Sequence, residues 1–419
     1  MGKLIVHGES RLKGSVKISG AKNSALPILA ATILLDEPVL LHNVPDLLDV
    51  RTMFEILESV GREVRFENNT VLVRSKAQLK CEVPYEPVRK MRASFNVLGP
   101  LAVKCGEASV ALPGGCSIGV RPVDFHLEGL QKLGFSVQIE HGVVRAKREK
   151  RQKECYVSFP FPSVGATEHI MTTAVLLEGT KTIVDNAAME PEIVDLAQFL
   201  IKCGAKISGA GTRRIEVEGV DRLSSCEHSI IPDRIEAGTY AIAAAATEGE
   251  VVLENVQPDH MMAAIDALAQ SGAELRIEGK SLLVRMKDRP RPLKLQVTPY
   301  PGFPTDLQPQ MIAYLSTAVG TSIIVETVFK SRFQHVDELR RLGAKIEVKD
   351  GVAVVYGVEK LQGTMVKATD LRAAAALLIA GLMAKGTTVI EEVDQIFRGY
   401  EDLIEKLSGL SAVVEYRNG

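Results

Sequence analysis

The chain has 419 residues, of which 46% are hydrophobic and 24% charged, so its length predicts two or three domains with substantial cores. Its 50 Lys and Arg residues nearly balance 52 Asp and Glu residues, and the net charge of -2 argues against nucleic acid or an anionic membrane as a general partner. Because no apolar run is long enough for a signal peptide or a membrane span, we expect a cytoplasmic protein.

Six cysteines are scattered along the chain without a CxxC pair. In a large chain that lacks an export signal, this distribution favours reduced thiols over disulfides or a zinc site. The cysteines are Cys81, Cys105, Cys116, Cys155, Cys203 and Cys226.

One pattern recurs along the whole chain: a helical end with leucine, then a glycine, then an alternating strand-like segment. The glycines are separated by 73, 70, 68, 71 and 66 residues and are Gly61, Gly134, Gly204, Gly272, Gly343 and, in a looser copy, Gly409. Glycine adopts the left-handed conformation that ends a helix, and the following residues alternate as half-buried strands do. The pattern predicts an α/β architecture of six similar modules. A non-catalytic repeat scaffold is the alternative, but a scaffold would not need the dissimilar, polar loops between these modules.

The first such loop is SGAKNS, residues 19–24, which precedes an apolar helix beginning near Leu26. Lys22 and Asn23 therefore lie where a loop enters a helix, and a helix N-terminus offers backbone donors and a positive dipole to an anion. The alternative is a helix cap beside a solvated lysine.

The second loop is LPGGCSIGVRPVDFH, residues 112–126, in which glycines surround Cys116 and Arg121 follows. A glycine-rich loop keeps the thiol near the surface, and a nearby arginine favours its thiolate, so the setting is typical of a reactive cysteine. A lone cysteine that only fills space in the core is the alternative.

Further along, PGFPTDLQPQ places Asp306 among prolines and a phenylalanine, a stiff setting that suits a general base, with helix capping as the alternative. Arg332, Arg372 and Arg398 come from three separate later loops. Together these cations indicate a substrate with several negative charges. No metal-ligand spacing, P-loop or dinucleotide fingerprint is found, so we expect no metal and no cofactor.

The order of nine segments resembles the UDP-N-acetylglucosamine enolpyruvyl transferase family over essentially the whole chain. They are SGAKNS, RASFNVLGPL, LPGGCSIGVRPVDFH, FPSVGAT, IIPDRIEAGT, PGFPTDLQPQ, SRFQHVDEL, TDLRAA and RGYE. The resemblance implies an α/β fold of two inverse α/β barrel domains, each of three similar repeats, with the active site in the cleft between them. It places one domain at residues 22–229 and the other at 1–21 plus 230–419.

The same resemblance implies a role for each site residue. Lys22, Arg121 and Arg398 bind the phosphate and carboxylate of phosphoenolpyruvate beside Asn23, Cys116 donates a proton, and Asp306 takes the proton of the attacking sugar hydroxyl. Arg332 and Arg372 are assigned to substrate binding as well. The residues expected to bind the UDP-sugar are Arg92, Arg121, Pro122, Val123, Asp124, Phe125, Ser163, Val164, Gly165, Asp306 and Val328. Some relatives have a lysine where this chain has Phe161, whose ring is a candidate to stack on the base.

These roles imply addition of the sugar hydroxyl to phosphoenolpyruvate followed by elimination of phosphate, with UDP-N-acetylglucosamine and phosphoenolpyruvate as the partners. No nucleic acid, membrane or obligate protein partner is expected. Two rival functions remain: the same transfer onto shikimate 3-phosphate, in a family that lacks the PGGCSIGVRPVDFH loop, and a non-catalytic sensor of UDP-sugars.

Overall fold

The computed structural model describes residues 2–113 and 123–418, which form two compact units. The central unit contains residues 20–113 and 123–231, and the terminal unit contains residues 2–19 and 232–418. The terminal unit is discontinuous in sequence because the strand Lys3–His7 pairs on both sides with strands from the C-terminal end, Thr387–Glu391 and Val414–Arg417. Within the described residues, the chain passes from one unit to the other at residues 19–20 and at residues 231–232.

The described residues contain three sheets in each unit, of which five have four strands and one has three. Each four-stranded sheet has one parallel pair, and the rest of its strands run antiparallel. The three-stranded sheet is antiparallel and gains a single parallel bridge between Glu82 and Ser109. This mixture of helices and mixed sheets confirms the predicted α/β class.

In the central unit, the strands of the first sheet are, in spatial order, Glu227–Ser229, Val39–His42, Thr70–Ser75 and Arg62–Glu67. Those of the second sheet are Lys206–Ser208, Arg214–Glu218, Lys181–Asp185 and Glu154–Ser158. Those of the three-stranded sheet are Glu107–Ala111, Val143–Arg148 and Phe135–Glu140. In the terminal unit, the strands of the first sheet are, in spatial order, Met365–Lys367, Thr387–Glu391, Lys3–His7 and Val414–Arg417. Those of the second sheet are Glu274–Glu278, Ser281–Arg285, Glu250–Glu254 and Lys13–Lys17. Those of the third sheet are Lys294–Val297, Thr321–Glu326, Val352–Tyr356 and Lys345–Lys349.

The α-helices of the central unit are Lys22–Ala31, Leu48–Ser59, Tyr85–Lys90, Leu98–Cys105, Asp124–Lys132, Val164–Ala174 and Pro191–Lys202, with 3₁₀ turns at Thr32–Leu34 and Arg92–Val97. Those of the terminal unit are Arg234–Ala246, Met262–Ser271, Gln308–Leu315, His335–Arg341, Leu371–Met383 and Leu403–Gly409, with 3₁₀ turns at Pro258–His260, Thr305–Leu307 and Val393–Arg398. None of the helices described here is long and apolar enough to cross a membrane.

Each unit has its own hydrophobic core, built around helices that are buried on nearly all sides. In the helix Leu371–Met383, every residue from Arg372 to Leu382 is buried, because its alanines let neighbouring elements approach closely. This alanine-rich apolar run is therefore a packed core helix. A helix that is apolar on all sides is typical of a protein core. The charged side chain of this helix, Arg372, lies in its first turn.

The helix-ending glycines behave as the repeat pattern predicts in five of six places. The backbone φ is positive at Gly61, Gly134, Gly204, Gly272 and Gly343. In the looser sixth copy, Gly409 is still the last residue of its helix, and Ser411 takes the left-handed conformation with φ of 67° instead. The pattern therefore predicts the ends of the helices correctly. In the sixth copy, the residue with the left-handed conformation lies two positions after the glycine.

The expectation of reduced thiols is wrong for one pair, because Cys81 and Cys105 form a disulfide with a Cα–Cα distance of 6.2 Å. Backbone hydrogen bonds join the segment around Cys81 to Ser109 in the strand that follows Cys105, and this pairing places the two thiols together. Spacing in the sequence does not reveal such a contact. Of the other described cysteines, Cys155, Cys203 and Cys226 are free.

We predict that Gly20→Ala destabilises the protein much more than Gly106→Ala. A Cβ at residue 20 would overlap the carbonyl oxygen of Asn43, whereas nothing lies within 4 Å of a Cβ at residue 106, which has φ of 82°. The first change should lower the free energy of unfolding by about 3 kcal/mol or more, and the second by about 1–2 kcal/mol through backbone strain alone. Urea unfolding of both variants measures the difference, and equal losses would contradict the close approach at Gly20.

Candidate active site

The SGAKNS segment forms the start of the helix Lys22–Ala31 in the central unit. Lys22 is the first helical residue and is only 9% exposed, and its Nζ lies 3.3 Å from Oδ2 of Asp49. Asn23 follows it in the first turn and is half-buried. Because a buried ammonium group needs a counter-charge, Asp49 both stabilises Lys22 and restricts where its charge can lie.

A buried network of polar side chains fixes the beginning of this helix. Ser24 Oγ donates a hydrogen bond to Oδ2 of Asp195, and the same oxygen accepts one from the backbone N–H of Ile231 at 3.3 Å. The other oxygen of Asp195 lies 2.9 Å from Nε2 of His228, whose Nδ1 lies 3.2 Å from Nζ of Lys202. A network in which each polar group has a hydrogen-bond partner holds its segment in one position. Here it fixes Ser24, which directly follows Lys22 and Asn23.

Two further helix starts in the central unit contain the residues expected to bind the UDP-sugar. Val123, which is buried, precedes the helix Asp124–Lys132, with Asp124 exposed and Phe125 half-buried in its first turn. The ring of Phe125 lies 6.1 Å from that of Phe159. The second start, Ser163 to Gly165, is half-buried.

Ser163 caps the second of these helices, Val164–Ala174, by accepting a hydrogen bond from the N–H of Ala166 at 3.4 Å. The two helices meet at His126 and His169, whose Nδ1 atoms are 3.1 Å apart. Phe95 packs edge-on against both rings. The structure thus brings together two groups of predicted residues that are about forty positions apart in the sequence.

Arg92 is half-buried at the start of the 3₁₀ turn Arg92–Val97. The same turn carries Asn96, whose Nδ2 donates a 2.8 Å hydrogen bond to Oε2 of Glu168 on the capped helix. Burial raises the pKa of Glu168 to about 8, the hydrogen bond from Asn96 opposes this shift, and the nearby carboxylate of Glu192 adds to it. A carboxyl group that is neutral near pH 7 therefore lies beneath the predicted nucleotide site.

In the terminal unit, two buried arginines hold the carboxylate of Asp306. Arg332 Nη1 lies 2.7 Å from Oδ1 of Asp306, and Arg372 Nη2 lies 2.8 Å from Oδ2. Burial alone would lower the pKa of Arg372, but the charge of Asp306 and then that of Tyr400 outweigh it and raise the pKa. The three residues come from three separate segments, a 3₁₀ turn, a loop and a helix start, and they form one charged cluster.

Glu326 connects this cluster to the turn that contains Val328. Its Oε1 accepts hydrogen bonds from the N–H groups of Val328 and Phe329 at 2.8 and 3.0 Å, and its Oε2 accepts one from Thr305 Oγ1 at 2.9 Å. Burial raises the pKa of Glu326, and these backbone and side-chain hydrogen bonds oppose the shift. Since Thr305 also accepts a hydrogen bond from Arg332, the turn and the cluster are positioned together.

Arg398 ends the 3₁₀ turn Val393–Arg398 and is half-buried, with Nη1 donating to Oε1 of Gln395 at 2.9 Å. Two residues later, the buried Tyr400 hydroxyl lies 3.2 Å from Nη1 of Arg372 and 2.9 Å from Oγ1 of Thr239. Tyr400 thus helps to orient one of the two guanidinium groups that hold Asp306.

Three of the predicted residues, Cys116, Arg121 and Pro122, lie outside the described part of the chain. Within the described part, no group of three or more His, Cys, Asp or Glu side chains is arranged to hold a metal ion. What the described residues offer is fixed cations, one carboxylate with two cationic partners, and two helix N-termini. Such groups bind and polarise an anion, and a carboxylate can accept a proton.

The polar residues that support these groups carry no motif in the sequence; among them are Asp49, Asp195, His169 and Glu326. One signal was available. Asp49 lies on the buried face of an amphipathic helix, and Glu326 ends an apolar strand, positions where a carboxylate is found only if it is paired. Their partners cannot be read from the sequence.

Comparison with known proteins gives consistent matches along the chain. The family model described as EPSP synthase (3-phosphoshikimate 1-carboxyvinyltransferase) matches residues 6–407. A UDP-N-acetylglucosamine 1-carboxyvinyltransferase from Pseudothermotoga lettingae is 66% identical over 417 residues, which cover 99% of this chain and 100% of that protein. A protein with the same name from Thermotoga maritima is 59% identical over 416 residues, covering 99% of each chain.

Two solved structures are similar in fold. The enolpyruvyl transferase NikO from Streptomyces tendae has a TM-score of 0.90 at 24% identity, covering 100% of this chain and 99% of that one. An EPSP synthase from Acinetobacter baumannii has a TM-score of 0.75 at 16% identity, covering 100% of both chains. At such identities, the likeness shows the fold alone.

We predict that Glu168 makes stability fall as the pH rises. Because its folded pKa of about 8 lies above the ordinary value of 4.5, its contribution is complete below about pH 4.5 and is lost as the pH rises towards 8. Glu168→Gln stays neutral throughout, so its advantage over the parent at pH 8.5 relative to pH 5 should be on the order of 3 kcal/mol.

Calorimetric melting of both proteins between pH 5 and 8.5 tests this, with Asp337→Asn as a matched control because Asp337 is an exposed acid. Parallel pH profiles for the parent and the Gln variant would show that Glu168 is not protonated in the folded protein.

Proposed function

We propose that this chain transfers the enolpyruvyl group of phosphoenolpyruvate to the 3′-hydroxyl of UDP-N-acetylglucosamine and releases phosphate. The chain belongs to the EPSP synthase family of enolpyruvyl transferases. The observation that carries this proposal is the 66% identity, over essentially both full lengths, to a protein named for that activity. The reaction is a step in the synthesis of peptidoglycan precursors, and the protein is a transferase.

The choice of acceptor follows from the relatives rather than from the family model or the fold. The model takes its description from an enzyme that uses 3-phosphoshikimate. However, the relatives at 58–66% identity carry the UDP-N-acetylglucosamine name. This chain also contains the LPGGCSIGVRPVDFH loop, which we expect to be absent from enzymes that use shikimate 3-phosphate.

The residues supply the groups that an addition and elimination requires. We assign Asp306 to accept the proton of the sugar hydroxyl as its oxygen bonds to the central carbon of phosphoenolpyruvate, and Cys116 to protonate the methylene carbon. In the second step the Cys116 thiolate formed in the first step takes a proton back from the methyl carbon, the bond from the central carbon to the phosphate oxygen breaks, and phosphate leaves. Lys22, Arg121 and Arg398 stabilise the charge on phosphate and carboxylate.

The geometry of Asp306 supports its role as a base. Arg332 and Arg372 each engage one carboxylate oxygen, and two cations beside a carboxylate favour its ionised form, which is the form that can accept a proton. The two contacts also fix the carboxylate in position, as general-base catalysis requires. Lys22 is likewise held by Asp49 at the start of a helix, where the N-terminus adds its own attraction for an anion.

The UDP-sugar is assigned to the two helix starts of the central unit and to the turn after Glu326. The contacts proposed for the UDP-sugar are Arg92, Arg121, Pro122, Val123, Asp124, Phe125, Ser163, Val164, Gly165, Asp306 and Val328, while Asn23 is proposed to lie beside phosphoenolpyruvate and Arg332 and Arg372 to bind substrate. Phe161, which is 36% exposed, is proposed to stack on the base in place of the lysine contact of some relatives.

We further propose that each unit is an inverse α/β barrel of three repeats. The cytoplasmic location and the lack of an obligate partner remain predictions.

Phosphate release separates the proposed function from its two rivals. With phosphoenolpyruvate present, UDP-N-acetylglucosamine should cause phosphate release and shikimate 3-phosphate should not. Release with shikimate 3-phosphate alone would assign the chain to the sister activity. Binding of UDP-N-acetylglucosamine in calorimetry, without phosphate release under any condition, would make the protein a sensor.

We predict that Asp306→Ala lowers kcat by ~10²–10⁴ while the affinity for the UDP-sugar changes far less, since a positioned base contributes about this much to the rate. Asp306→Asn keeps the shape of the side chain and should lose activity to a similar extent. Thermal unfolding of both variants checks the fold, because Arg332 and Arg372 lose their counter-charge. An unchanged kcat in a folded variant would remove Asp306 from the chemistry.

A further inference from the structure

His126 is the third residue of the helix Asp124–Lys132 and is only 3% exposed. It lies between the two helix starts assigned to the nucleotide, yet the sequence pattern gave it no role. Its ring packs against Phe95 at a centroid distance of 5.4 Å and against His169 at 5.2 Å. A buried histidine needs a partner for each ring nitrogen, or a reason to lack one.

The hydrogen bonds around the two rings fix their tautomers. The backbone N–H of Gly99 donates to Nε2 of His169 at 2.8 Å, so that nitrogen carries no proton and Nδ1 of His169 carries one. Nδ1 of His169 lies 3.1 Å from Nδ1 of His126 and donates to it. His126 is therefore an acceptor at Nδ1 and, as a neutral ring, bears its proton on Nε2.

The surroundings keep both rings neutral. Burial lowers the pKa of His126 well below its ordinary value, and its electrostatic interactions with His169 and then with Arg92 lower it further. Burial likewise lowers the pKa of His169 to about 3. A second proton on His126 would also place two N–H groups against each other across the 3.1 Å contact.

Nε2 of His126 lies beside the start of the other helix. None of the described residues accepts a hydrogen bond from it. A Cβ built on Gly165 would lie 3.3 Å from both Nε2 and Cε1, so the absence of a side chain at this residue leaves space next to this nitrogen. The residues beside it, Ser163 and Val164, begin an 11-residue helix whose first backbone N–H groups have no partner within the helix.

We propose that His126 binds the diphosphate of the nucleotide sugar through its Nε2–H, as a neutral donor next to the helix start at Gly165. This inference rests on the proposed function, because it takes a UDP-sugar as the ligand of these two helices. A helix N-terminus and a fixed N–H donor that converge on one point suit a phosphate oxygen, which accepts several hydrogen bonds. His126 is thus a binding residue with no part in the proton transfers.

Three variants test this assignment by calorimetric titration with UDP-N-acetylglucosamine. In His126→Asn, the amide oxygen can replace Nδ1 as the acceptor for His169, but the shorter side chain has no donor at the position of Nε2. In His126→Gln, the amide nitrogen reaches that position. In Gly165→Ala, the new methyl group covers the N–H.

We expect His126→Asn to weaken binding by about 10- to 100-fold, the usual effect of losing a hydrogen bond to a charged group. His126→Gln should recover most of this loss. Gly165→Ala should weaken binding in the parent but much less in the His126→Asn background, because the two changes remove the same contact. The parent's affinity should not rise as the pH falls from 8 to 5.5, since the donor is neutral.

Each outcome has one meaning. If the parent protein does not bind UDP-N-acetylglucosamine, the proposed function itself fails. If the parent binds and the folded Asn variant binds equally well, or if the Asn and Gly165 losses simply add, His126 does not contact the ligand. Affinity that rises at low pH only while His126 is present would mean a cationic histidine and would also overturn the assignment. Melting curves of each variant confirm that the fold is kept.

Discussion

The position of the strand Lys3–His7 is the constraint on which the rest of the structure depends. Because it pairs with Thr387–Glu391 and Val414–Arg417, the chain must enter the central unit at residue 20 and leave it at residue 231. The entering and leaving segments then lie side by side within the central unit, where the N–H of Ala21 donates to the carbonyl of Ile231 at 2.7 Å. The helix that presents Lys22 begins at this point.

Buried charges near the site are held in pairs, and the pairing explains their positions. Lys22 has Asp49, and Arg332 and Arg372 share Asp306. An unpaired buried charge is strongly unfavourable, so each partner restricts where the other can lie. Side chains that are already held in place need little reorganisation when charge develops nearby, and this is the property that the proposed function requires of them.

Function and fold rest on different observations in this protein. The solved structures at 16% and 24% identity establish how the chain folds but not what it binds. The relatives at 58–66% identity carry a name that states the acceptor, and the roles proposed for the charged residues rest on the contacts that hold them. Neutral donors such as the N–H of His126 form a third group, which contributes to binding without adding charge.

By itself, the sequence determined the local features: the glycines that end helices, the buried alanine-rich helix, and the segments that carry Lys22, Asp306 and Arg372. These follow from periodicity and from the conformations that single residues prefer, which act over a few positions. Only the tertiary structure decided which side chains meet, such as Cys81 with Cys105, or Asp306 with Arg372, which are 66 residues apart. Such contacts depend on how distant segments pack against one another, because a carboxylate or a thiol in the sequence carries no information about its partner.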